Sequence, residues 1–189
     1  QNIHGEETPD MVIFTIGRWA DQARRIAQMH ENSADSLKVL VVDQEQAFNE
    51  FSSGTPDVSA FRRLLKMFYD RKSTNGHKLK YALLFGKSTF DNRHLTTTIK
   101  NLGYPTMPAW MTDNGLNDNA SFVTDDFIAF LSDNSGSNVA AGNDNMSISI
   151  GRLPVRTAEE AKNAVDKMYK YVYHSVADEW KNQVLLVAD

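Results

Sequence analysis

Polar side chains gather at two places where an apolar run ends. Asp91, Asn92 and Arg93 follow Tyr81–Phe85 (YALLF), and Arg152 and Arg156 follow Met146–Ile150 (MSISI). In open α/β sheets the loops after the carboxyl ends of strands form the binding crevice. Arginine suits such a place, because its planar fork of donors grips a carboxylate or backbone carbonyls. These residues are the binding or interface candidates. The plainer reading is that they cap their loops or pair with one another.

Other constellations carry less chemistry. Asp133, Ser135, Ser137 and Asp144 stand at positions 1, 3, 5 and 12 of a stretch resembling a calcium loop. Position 6, which such a loop fills with Gly, is Asn138, and position 12 lacks the bidentate Glu. An ordinary polar loop is the simpler account, with calcium left as the one cofactor these oxygen-rich loops could take. Gly86-Lys87-Ser88-Thr89 ends like a phosphate-binding loop, but the position that requires the first Gly is Tyr81, inside an apolar run. No G-x-S-x-G elbow is present. The histidines at 4, 30, 77, 94 and 174 are scattered, with no H-E-x-x-H. The chain has no cysteine, which removes disulfides, thiolate metal sites and a thiol nucleophile. No catalytic residue is therefore assigned.

The 189 residues carry a net charge of −4, with 41% hydrophobic and 23% charged residues, the balance of one globular domain. No basic stripe interleaves with aromatics, so nucleic acid is not an expected partner. No apolar run reaches the length of a membrane-spanning helix.

The elements that must position the candidates follow from periodicity. Met11–Ile16, Leu37–Val42, Tyr81–Phe85, Met146–Ile150 and Val184–Ala188 read as strands. Most are apolar throughout, as strands covered on both faces are. Helical spacing runs over Arg18–Glu31 through Trp19, Ala23, Ile26, Ala27 and His30. Thr55-Pro56-Asp57 starts a second helix, with Thr55 as cap and Pro56 in its first position. Its stripe is Val58, Phe61, Leu64, Leu65 and Phe68. Thr157-Ala158-Glu159-Glu160 has the form of a capping box before Ala161, Ala164, Val165, Met168 and Val172. The segment Ser121–Leu131, between polar stretches, reads as an extended excursion or hairpin. This alternation predicts a doubly wound, mainly parallel α/β sheet with helices on both faces. Val184–Ala188 reads as an interior strand at the very end of the sequence, so the expectation is a single α/β domain, residues 1–189, cut from a larger protein.

Three segments resemble one family: Phe48–Arg71 (FNEFSSGTPDVSAFRRLLKMFYDR), Tyr81–Arg93 (YALLFGKSTFDNR) and Ile148–Tyr171 (ISIGRLPVRTAEEAKNAVDKMYKY). In order and spacing they are similar to the N-terminal half of the gingipain-type cysteine peptidase domain, nearest to the sortases of the type IX secretion system of Bacteroidetes. Lys87 departs from it, where an acidic residue is expected. The resemblance implies two related α/β halves, similar to caspases, with a His–Cys dyad in the second. This chain would then be a non-catalytic scaffold, inactive alone. Its implied partners are the C-terminal catalytic subdomain and, in the parent, a protein substrate whose C-terminal sorting signal is removed. The implied location is extracytoplasmic, at the cell surface or outer membrane. The rival reading is a free-standing, non-enzymatic α/β binding module.

Overall fold

The computed structural model describes residues 2–34, 36–71, 73–112, 121–137, 139, 142–174, 176 and 179–187. Four strands form the main sheet: β1 (Met11–Thr15), β2 (Val39–Asp43), β3 (Tyr81–Phe85) and β6 (Ser149–Leu153). Their order is β2-β1-β3-β6 and every pairing is parallel. The chain steps from β1 to β2 in one direction, then crosses back over β1 to reach β3. Right-handed crossovers in opposite directions place their helices on opposite faces. All five residues of β1 are accordingly buried. Phe14 meets Phe61 at 4.4 Å between ring centroids, and Phe61 in turn meets Phe48 at 5.5 Å.

The helices are α1 (Ala20–Glu31), α2 (Gln44–Phe51), α3 (Val58–Asp70), α4 (Thr97–Lys100), α5 (Asp126–Ala129) and α6 (Ala158–His174). Helix α1 packs on β1, β2 and α6, while α2, α3 and α5 pack together. The doubly wound parallel architecture expected from the sequence is the one observed.

Several boundaries differ from the sequence reading. Helix α3 starts two residues late: its cap is Asp57, whose Oδ1 accepts the Ser59 N–H at 2.8 Å, and not Thr55. A proline pushes the residue before it toward extended backbone, and Asp is at least as good a cap as Thr. On α1 the buried residue near the end is Met29, with His30 half-buried. The edge strand lies at Ser149–Leu153 instead of Met146–Ile150, and Met146 is exposed. An edge strand needs only one neighbour, and Arg152 is tolerated in it because its fork finds acceptors beyond the sheet.

The excursion is partly a hairpin. Here β5 (Val123–Thr124) pairs antiparallel with β4 (Trp110–Met111) across the span 113–120, which lies outside the described residues, and α5 follows at once. Val184–Val187, expected as a strand, pairs with no strand among the described residues, and each of its side chains is more than 80% exposed. A strand requires a neighbour for its amides and carbonyls, and the described chain offers this segment none. Ala188 lies outside the described residues.

The strand starts are tied by Asp10. Its backbone bonds to Lys38, Lys80 and Tyr81. Its carboxylate accepts the Lys38 N–H at 3.0 Å and Lys80 Nζ at 3.1 Å, with His77 Nδ1 at 2.6 Å. Burial opposes its charge, but these bonds, with one from the Lys78 amide, hold its carboxyl down at about 2.

Candidate functional site

At the other end of the sheet the strands deliver their carboxyl ends to a groove of about 780 Å³. One side is built by the start of α2, with Gln44, Glu45 and Phe48, and by Thr55–Val58. The other side is built by Asn92, Arg93 and His94, and by the segment Pro105, Thr106 and Pro108. The first side is fixed by caps. Asp43, the last residue of β2, turns its carboxylate onto the Glu45 N–H at 2.9 Å and so starts α2.

The second side is held by long-range hydrogen bonds. Asn92 embraces Ala109, donating from Nδ2 to its carbonyl at 2.6 Å and accepting its N–H at 3.2 Å. Arg152, on β6, donates from Nη1 to the Gly86 carbonyl at 2.8 Å and from Nη2 to the Pro108 carbonyl at 3.1 Å. The same guanidinium meets Asp125 in a two-pronged pair at 2.8 and 2.7 Å. His94 takes a positive φ of 52°, and its Nε2 lies 2.7 Å from Thr106 Oγ1. Gln44 Nε2 donates to the Thr106 carbonyl at 3.3 Å across the floor. The wall over 105–109 is thus pinned from β6, from α2 and from the turn after β3.

The backbone leaves no room for a phosphate loop after β3. Lys87 donates its N–H to Val155 and accepts from the Met107 N–H, so the Gly86 turn is threaded between two chain segments. A Cβ on Gly86 would stand 3.1 Å from Ile16 Cδ1 and 3.2 Å from Met107 Cβ.

The sequence candidates therefore share one rim but differ in what they touch. Asp91 accepts the Thr96 N–H at 2.7 Å; that bond and one from the Leu95 amide hold its carboxyl below the usual range. Arg93 is exposed on the groove. Arg156 pairs with Glu160 at 2.6 Å, a contact that raises the guanidinium and lowers the carboxyl. Glu160 also accepts the Arg156 N–H while its own N–H reaches Thr157 Oγ1, so the expected capping box closes one residue early.

In the 133–144 loop, Asp133 pairs with Lys66 at 2.9 Å and Asp144 accepts the Gly136 N–H at 2.7 Å. Ser135 donates its hydroxyl to Ser132, and Ser137 is exposed. Arg62 reaches in from α3 to the carbonyls of Phe130 and Ser135, a cation already supplied by the fold. Among the described residues no group of three or more His, Cys, Asp or Glu is placed to hold a metal ion.

The model of peptidase family C25 matches residues 4–189 of this sequence. The chain belongs to that family. The gingipain resemblance of its three segments is thereby shown. The C25 chain is also similar to a solved structure, dimeric latent PorU from Porphyromonas gingivalis, with 38% sequence identity and a TM-score of 0.76. That match covers 90% of this chain and 16% of the PorU chain. The comparison with curated proteins gives no match. No helix among the described residues is long and apolar enough to cross a membrane.

Sequence reasoning missed several residues of this C25 rim. Gln44, Glu45 and His94 carry no motif, and Asp125 stands in an apolar segment with nothing to mark it as the partner of Arg152. The Asp43 cap had a signal, an acid at the end of an apolar run before a helix.

Proposed function

We propose that this chain is the N-terminal, non-catalytic subdomain of a gingipain-like cysteine endopeptidase of the sortase type, which removes C-terminal sorting signals from secreted proteins of the type IX pathway in the cell envelope. One observation carries the reading: a chain without any cysteine matches a peptidase family over residues 4–189. Cysteine peptidase chemistry needs a thiolate beside a proton-shuttling imidazole. In this reading both come from a second subdomain, and this one supplies the packing surface and part of the rim over which cargo passes. The exposed run Val184–Val187 supports it, because apolar side chains in series are the form of a strand awaiting its sheet.

The test is the gene beyond codon 189 together with activity. The expected finding is a downstream His-Gly segment and a later Cys, a full-length protein that cleaves a sorting-signal peptide, and no cleavage by the 189-residue chain alone. A stop codon after Asp189 would overturn the reading in favour of a free-standing binding module.

A further inference from the structure

The groove at the strand ends has two walls of opposite sign. Glu45 stands on the α2 wall and Arg93 on the facing turn, both exposed. Neither side chain has a hydrogen-bond or ion-pair partner among the described residues, whereas Arg152 and Arg156 are both engaged. The same groove is lined by the apolar Phe48, Pro56 and Pro108, with Asp57 and His94 as its other ionisable groups. On the floor Gln44 is 6% exposed, and its Oε1 has no hydrogen-bond partner although its Nε2 is bonded to Thr106. A buried acceptor without a donor is uncommon.

We propose that the groove binds an extended peptide in which a basic and an acidic side chain are neighbours. An extended chain sends successive side chains to opposite sides. Laid along this groove, it places one residue against Glu45 and the next against Arg93. Walls of opposite charge select that pairing and disfavour a run of one sign. The peptide's apolar atoms cover the prolines, which have no N–H of their own to leave unsatisfied. The site stands on its own geometry and is independent of the peptidase reading.

The test is fluorescence anisotropy of short labelled peptides against the whole chain: one alternating Lys and Glu, one with Lys at every charged position, one with Glu at every charged position. The alternating peptide is expected to bind about tenfold more tightly than either of the others, and Glu45→Lys and Arg93→Glu each to lose about that factor. The double variant Glu45→Lys/Arg93→Glu recovers binding, because a one-residue shift of the peptide matches the exchanged walls. Equal affinity for the three peptides, no binding, or single variants that bind like the parent would each overturn the proposal. Should a variant fail to fold, the three-peptide comparison on the unaltered chain decides it alone.

Discussion

Arg152 and Asp125 meet side by side, Nε to Oδ2 at 2.8 Å and Nη2 to Oδ1 at 2.7 Å, with only 11% and 22% of their side chains exposed. The remaining donors of the guanidinium go to the carbonyls of Gly86, Met107 and Pro108. Removing one member of such a pair strands the other charge away from water. Arg152→Ala is therefore expected to cost about 3 kcal/mol or somewhat more, and Asp125→Ala a comparable amount. Arg152→Lys keeps the charge but loses the fork, so it recovers only part. Urea unfolding midpoints decide this. An Arg152→Ala chain as stable as the parent would assign the side chain to binding and not to the scaffold.

Asp10 makes the fold sensitive to acid. Its carboxyl sits at about 2 when folded, against an ordinary 3.8. The folded state thus favours the charged form. The stabilisation is complete above the ordinary value and is lost as pH falls from there through the folded one. The difference corresponds to about 2 kcal/mol. Asp10→Asn should lower stability by that order at neutral pH and flatten its decline between about pH 4 and pH 2. Thermal melts of both proteins across that range measure it, and parallel curves would refute it.

Gly17 and Asp43 are coupled across the sheet. A Cβ at Gly17 would fall 2.6 Å from Asp43 Oδ2, while Oδ1 of the same carboxylate caps α2. Gly17→Ala should displace the cap and cost about 1 kcal/mol, the worth of a good N-cap. The cost should shrink in an Asp43→Ala background, where no cap remains to lose. Additive losses in the double variant would show that the two positions are independent.

The run Val184–Val187 contributes nothing to this chain's own packing. Leu185 and Leu186 are 87% and 88% exposed. Replacing both with Ser is expected to leave the melting temperature unchanged and to reduce self-association. Sedimentation velocity at several concentrations reads the second effect. A drop in melting temperature would mean the segment packs on the domain after all.

The sheet was readable from the sequence because β1, β2 and β3 are apolar on both faces, a pattern few other structures need. Reading became unreliable where one side of an element is open. The strand β6 could admit Gly151 and Arg152 because among the described residues only β3 binds it, so its apolar start at Met146 misled. At Thr55-Pro56-Asp57 two good caps compete, and the proline decides between them only through backbone geometry. For the site, a strand-end rule found Asn92, Arg93 and Arg152 but could not tell a groove-facing arginine from a structural one. That distinction depends on Asp125 and on carbonyls that lie far off in sequence.

The outermost strand of the sheet holds the wall of the groove. Arg152 belongs to β6, whose far side is unpaired among the described residues, and it grips the carbonyls of Met107 and Pro108. The mouth of the groove is therefore braced by the sheet's margin as well as by the loops that line it. A strand laid against that margin would tighten or relax the brace without touching anything inside the mouth, giving a neighbour at the sheet's edge mechanical leverage over its width.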